Sequence, residues 1–278
     1  MESRHDVVAT WLSRPVTFRY AESLCADLRN SSACARLLSS LQPTHVIHAA
    51  AMALTSDCER DPEGAHASNV SATANLLQAA QMQPAPPFFL HVSTDLVFDG
   101  TVGNYSENDP PNPIMVYGRT KLAAEQLVRE SAVPCAVVRS SLVFGPPGSG
   151  RKSFLDWMID GIREGKGVLF ADEYRTPVYV DDLCMFLETA CIRAATGTWH
   201  CAGPERLSRY EFGLRVAEAF ALPAANVRKG YLRDTPIAAP RPADVSLDIS
   251  KARQYLGFRP LFPAGALEKA KSSAAYTT

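Results

Sequence analysis

Apolar residues in the first half of the chain fall into short runs separated by stretches of helical periodicity, the pattern of βαβ units around a parallel sheet. Strands are expected near Asp6 to Thr10, His45 to Ala49, Phe88 to Val92 and Cys135 to Arg139. Between them, Ala33, Leu37, Leu38 and Leu41 share one face of a helix over Ser31 to Leu41. Leu76, Leu77 and Ala80 do the same over Asn69 to Ala80, and a third helix is expected over Thr120 to Glu130. After Phe144-Gly145-Pro146-Pro147 the alternation loosens. That change separates a sheet domain over residues 1–145 from a smaller α/β region over 146–278, which could interleave with it. Helices are expected there at Ser153 to Glu164, Asp181 to Ala194, Ser208 to Phe220 and Ser250 to Tyr255, with strands at Val168 to Phe170 and Thr198 to Ala202. Ser208 and Glu211 have the spacing of a capping box.

One constellation carries chemistry. Tyr117 and Lys121 lie four residues apart, so on a helix they share a face. A cation beside a phenol favours phenolate, and the spacing predicts a Tyr117 pKa below its reference near ~10. Such a tyrosine exchanges a proton with a carbonyl or alcohol oxygen. The pair alone is a weak signal, since a solvated helix face carries the same residues. Context strengthens it: Pro87-Phe-Phe-Leu-His-Val92 reads as a buried parallel strand that ends in Ser93-Thr94-Asp95, and active sites of open α/β sheets gather at that end. Thr94 is placed to hydrogen-bond the same oxygen.

Composition narrows the field. The 278 residues, 46% of them hydrophobic, suffice for one large or two modest cores. A formal net charge of −1 supplies no global positive field, which argues against nucleic acid as a partner. Seven cysteines without Cys-x-x-Cys spacing indicate neither a disulfide framework nor a zinc site. No metal is expected. The sequence has no apolar run of membrane-spanning length and no signal segment, so a cytoplasmic protein is expected.

Ser93-Thr-Asp-Leu-Val-Phe-Asp-Gly100, followed by Val116-Tyr-Gly-Arg-Thr-Lys-Leu-Ala-Ala-Glu125, resembles the extended short-chain dehydrogenase/reductases. Within them the chain is most similar to the dTDP-4-dehydrorhamnose reductase group, whose relatives include the regulatory subunit of methionine adenosyltransferase. Further segments match along nearly the whole length: His48 to Ala51, Asp57-Cys58-Glu59, Asn69-Val70, Arg139 to Gly145, Thr176 to Asp182 and Arg241-Pro242. The resemblance implies a Rossmann-type doubly wound parallel sheet that binds NADP or NAD, with a smaller substrate domain, reducing a 4-keto sugar nucleotide. It implies Tyr117 as proton donor, Lys121 as the residue that lowers its pKa and holds the nicotinamide ribose, Thr94 as the group orienting the keto oxygen, and Asn69 as support for the lysine. It also places Ala49, Ala50, Ala51, Ser93, Ser140 and the Asp27-Leu28 pair against the cofactor, although an Asp before a helix equally reads as a cap. Ser13 and Arg14 could receive a 2′-phosphate, or be ordinary surface residues. The alternative is a non-catalytic regulatory subunit of the same fold. A homodimer or a regulatory partner protein fits either reading.

One part of the family's pattern is absent. A dinucleotide site wants a glycine-rich turn after the first strand, and the first glycine in this chain is Gly64. His5 to Thr10 resembles the family's second strand, so the first strand, phosphate loop and first helix are expected to be missing. An incomplete gene model, a deliberately shortened chain and a loss of cofactor binding are the competing accounts. A separate motif, Gly145 to Ser153, comes within one residue of a P-loop. Arg151 stands where the lysine belongs, which disfavours ATP hydrolysis, and Gly148 to Gly150 reads as a linker over the cleft. Arg175, Tyr179 and Arg241 could meet a diphosphate or be paired surface charges.

Overall fold

Two short strands, β1 (Val8–Trp11) and β2 (Glu22–Cys25), open the described chain and pair in parallel with each other. The structure, a computed structural model, describes residues 5–13, 15, 21–148, 152–234 and 240–276. Helix α1 (Ser31–Leu41) starts where the Asn30 side chain accepts the Ala33 amide, which makes Asn30 and not Asp27 its cap. Strand β3 (His45–His48) leads through α2 (Thr55–Arg60) and α3 (Pro62–His66) into a π-helical turn at Ala67–Ser71, which continues as α4 (Ala72–Gln81). The helix expected from Asn69 therefore has a π turn at its start. Strand β4 (Phe88–Thr94) runs into a 3₁₀ turn at Asp95–Val97. Helix α5 (Val116–Glu130) starts before Tyr117, earlier than expected, and β5 (Cys135–Ser140) follows it.

Strands β6 (Val143–Phe144), β7 (Val168–Phe170), β8 (Tyr174–Arg175) and β9 (Val178–Tyr179) are short, with α6 (Phe154–Arg163) between the first two. Helix α7 (Val180–Ile192) precedes β10 (Gly197–Cys201), which pairs in parallel with β5 and so brings the second half of the chain into the main sheet. Strand β11 (Leu207–Ser208), α8 (Arg209–Ala219), β12 (Arg228–Gly230), α9 (Ser250–Leu256) and α10 (Pro263–Lys271) complete the order. Both α6 and α8 begin with capping boxes, Ser153 with Asp156 and Ser208 with Glu211.

The main sheet has the order β10-β5-β4-β3, all parallel. Helices cover both of its faces, which explains why β4 is buried at every position but Val92. Phe89 and Val137 point to a core with Leu38, Leu76, Leu77 and Val128, contributed by α1, α4 and α5. Phe88, Leu90, Ala136 and Val138 point the other way, to Phe186 of α7 and Ala252 and Leu256 of α9. A third core joins α6, α8 and α10 through Ile159, Phe212, Val216 and Leu267. The β1–β2 pair forms its own two-stranded sheet, and no strand among the described residues lies between β1 and β3.

Three buried histidines set an acid limit on this fold. Burial holds His48 at about 3 and His200 at about 4, and drives His91 well below its usual range, with the Lys121 charge adding to the effect at His48 and His91. All three are depressed relative to the unfolded value near ~6.5, so between those limits the unfolded chain binds more protons. Stability is complete above that value and falls as pH drops through the window, by roughly 2 kcal/mol per histidine at pH ~5. Urea unfolding followed by circular dichroism should show a midpoint at pH 5 well below that at pH 7. Equal midpoints would rule out neutral, buried imidazoles.

Candidate active site

Helix α5 has no side-chain cap of its own at Met115, and Glu59 of α2 accepts the Val116 amide at 2.8 Å instead. Tyr117 thus sits in an anchored first turn. Gly118 lets that turn approach the end of β4, since a Cβ there would overlap the Leu96 carbonyl oxygen. Asn69, buried in the π turn, binds three ways: its Oδ1 accepts the Met52 amide at 2.7 Å, and its Nδ2 donates to Met52 O and, at 2.9 Å, to Thr120 Oγ1. Thr120 in turn donates to the Tyr117 carbonyl at 2.9 Å. Asn69 therefore supports the helix turn through Thr120.

Thr94 closes β4, its Oγ1 accepting the Leu96 amide at 3.2 Å and donating to Asp95 Oδ1 at 3.3 Å. Thr94 also acts on the Tyr117 phenol, pulling its pKa down. That influence is outweighed. Burial, the Asp95 carboxylate and Cys58 push the Tyr117 pKa above its ordinary value. The expected lowering by Lys121 is corrected: the lysine is 2% exposed, and its Nζ lies 3.0 Å from His91 Nε2, inside the layer between α5 and the sheet. Burial brings the Lys121 ammonium down to about 8 against the opposing pull of Glu125.

Two charged groups lie behind Thr94, Tyr117 and Lys121. Glu125, fully buried, accepts from Ser93 Oγ at 2.6 Å, from Arg139 Nη2 at 2.8 Å and from Arg129 Nη1 at 2.9 Å. These bonds hold its pKa down despite burial. Asp95, 4% exposed, accepts from Ser141 Oγ at 2.9 Å and faces Arg175 Nε at 3.8 Å. Burial raises its pKa against the pull of Arg175. Arg175 is a buried residue, paired with Glu173 at 3.2 Å, and Glu173 also takes Arg209 and Arg241. Tyr179 is 3% exposed, its ring packed against Phe144. Neither Arg175 nor Tyr179 is a surface group.

The structure brings together Thr94, Tyr117, Lys121, Asn69, Ser93 and Ser140 at the carboxyl ends of β4 and β5. Ser93 is turned to Glu125, and Ser140 donates to the Ser93 carbonyl at 3.3 Å. Ala49, Ala50 and Ala51 form a short ledge after β3, the first two exposed. Ser13 is exposed in a turn after β1, and Arg14 lies outside the described residues. Asp27 is held by Arg29 at 2.8 to 3.0 Å, and Leu28 packs its side chain on the α1–α4 core. The P-loop reading finds no support in the surroundings. Lys152 precedes the Ser153 cap of α6 and pairs with Asp160, while Asp172 accepts the Leu232 amide; residues 149–151 lie outside the described set. His91, Asp95, Gly118 and Glu125 escaped the reading of the sequence. A histidine in the middle of an apolar strand and a glycine inside a helix were the available signals.

Fold and site together define an extended short-chain dehydrogenase/reductase of the Rossmann type. The family model described as "RmlD substrate binding domain" matches residues 2–269, and the chain belongs to that family. It is 32% identical to the Mus musculus "Methionine adenosyltransferase 2 subunit beta" over 251 residues, covering 87% of this chain and 74% of that one. It is 31% identical to the Haloferax volcanii protein named "Probable low-salt glycan biosynthesis reductase", covering 92% and 86%. Among solved structures, the hypothetical dTDP-4-dehydrorhamnose reductase of Sulfolobus tokodaii superposes with a TM-score of 0.81 at 31% identity, over 95% of this chain and 92% of that one. The Bacillus anthracis dTDP-4-dehydrorhamnose reductase in complex with NADP gives 0.81 at 26% identity, over 90% and 89%.

Two substitutions check this architecture. Gly118→Ala should destabilise the fold by about 1–3 kcal/mol in thermal unfolding, through overpacking against Leu96. An unchanged melting temperature would mean that α5 does not lie as close to β4. Glu125→Leu should cost about 3–5 kcal/mol by leaving Arg139 buried and unpaired, and adding Arg139→Met should restore much of the loss in urea unfolding. Additive losses would show that the two side chains do not interact.

Proposed function

We propose that this chain is an NADP- or NAD-dependent reductase of a 4-keto sugar nucleotide, with Tyr117 as the proton donor. The observation that carries the reading is the meeting of Thr94 and Tyr117 where β4 ends and α5 begins, over the buried Asp95. The NADP complex of the Bacillus anthracis relative supports the cofactor class. Thr94, Tyr117 and the Ala49–Ala51 ledge fit the nicotinamide end of such a cofactor. When bound, the nicotinamide supplies hydride.

The chain's own residues handle the proton and the geometry. A phenol whose pKa is raised stays protonated through the neutral range, which suits it to donate to an oxygen that becomes far more basic as the ketone is reduced. Asp95 assists by disfavouring phenolate until that moment. The Thr94 hydroxyl orients the same oxygen, and Asn69, through Thr120, keeps the first turn of α5 from drifting. The 32% identity to a methionine adenosyltransferase subunit favours a second reading, a regulatory subunit that binds a partner enzyme without turning over a sugar nucleotide.

Dinucleotide titration followed by NADPH oxidation with a panel of 4-keto sugar nucleotides separates the two. Under the reductase reading Tyr117→Phe should fold normally and lose on the order of 10²-fold or more in turnover. Turnover untouched by that substitution would remove Tyr117 from its role. Failure of the wild-type chain to bind either dinucleotide would favour the regulatory subunit.

A further inference from the structure

Lys121 presents an unusual balance of charge. Its side chain is 2% exposed, and an ammonium taken out of water needs hydrogen-bond acceptors to remain charged. The carboxylate nearest along the helix, Glu125, is already engaged by Ser93, Arg139 and Arg129. The acceptor within reach is His91, 3.0 Å away and fully buried in the middle of β4. The His48 ring packs at 5.3 Å from that of His91, while His48 itself bonds Thr73 at 3.0 Å. Glu125 from α5, His48 from β3 and His91 from β4 are thus the titratable groups facing the lysine.

His91 has its own oddity. Its Nδ1 is buried with no hydrogen-bond partner. An unpaired buried polar atom is destabilising, and an apolar residue would avoid that penalty at a position flanked in β4 by Leu90 and Val92. The imidazole therefore earns its place through the other nitrogen. We propose that His91 is a positioning residue for Lys121: its Nε2 accepts one of the three ammonium protons and fixes the side chain beneath α5. Two protons then remain for the side of the helix that carries Tyr117, four residues back on the same face. The catalytic consequence rests on the reductase reading; the pairing itself does not.

The tautomer is the direct test. An ammonium that donates to Nε2 requires the proton of the neutral imidazole to reside on Nδ1. In the wild-type chain labelled with ¹⁵N-histidine, the His91 resonances, assigned with His91→Gln, should show protonated Nδ1 and bare Nε2 near pH 7. The opposite tautomer or a charged ring would overturn the proposal. As a second arm, the Lys121 side-chain signal, assigned with Lys121→Met, is titrated in ¹³C-lysine-labelled protein. His91→Leu should lower the titration midpoint by about one pH unit or more, since burial is then opposed by Glu125 without the imidazole acceptor. His91→Gln, whose side-chain amide oxygen reaches the same place, should restore most of the shift. A midpoint unmoved in a folded His91→Leu protein, or a folded His91→Gln protein that behaves like His91→Leu, would sink the idea. In turnover assays His91→Leu should lose on the order of tenfold and His91→Gln far less. If the wild-type chain reduces no sugar nucleotide but the NMR arms give the expected results, the reductase reading fails and the pairing stands. The reverse outcome leaves the reductase and removes His91.

Discussion

The carboxylate of Glu125 fixes the position of helix α5 over the sheet. Tyr117 and Lys121 lie on α5, and α5 would otherwise rest on the sheet through apolar contacts that define a distance but tolerate sliding. Glu125 adds direction, because one group receives Ser93 from β4 and Arg139 from β5 in the same place. A buried ion pair of this kind contributes little net stability once desolvation is counted. Its value is specificity of placement. Gly118 and Asn69 finish the task, the first by letting the helix descend onto Leu96 and the second by tying its first turn through Thr120 to the segment after β3.

A second layer of charge surrounds Asp95. Arg175 links it to Glu173, on which Arg209 and Arg241 also converge. Ser141 connects the same regions by donating to Asp95 while accepting the Thr176 amide at 3.3 Å. The phenol of Tyr117 feels this arrangement through Asp95, so its acidity depends on residues more than fifty positions away in the sequence. Proximity along a helix says little about it.

That contrast marks what was legible beforehand. The parallel sheet could be read because apolar runs such as Phe88 to Val92 are long enough to require cover on both faces, and the covering helices declare themselves by period. Thr94, Tyr117 and Lys121 could be named because their order along the chain mirrors a strand-turn-helix crossing. The direction of the lysine could not. A four-carbon side chain at i+4 can reach several places, and the choice between Tyr117 and His91 is made by strand β4, thirty residues upstream. Arg175 looked like a surface charge since nothing local reveals that Asp95 and Glu173 enclose it. Asp27 looked like a helix cap, although Asn30 occupies that position and Asp27 turns to Arg29.

The π turn at Ala67–Ser71 gives the helix between α3 and α4 one residue more than a regular spiral would hold. Excision of a single residue there would relax the segment to ordinary α-helix and improve its hydrogen-bond geometry. It would also rotate one end against the other by about 100°. Asn69 and Thr73 now reach Thr120 and His48 from a single stretch of chain, and a shorter helix could satisfy only one of those partners. The number of residues in this helix is thus a constraint as strict as their identity. Among related chains, a one-residue gap at this point should count for more than many substitutions when judging whether the site is preserved.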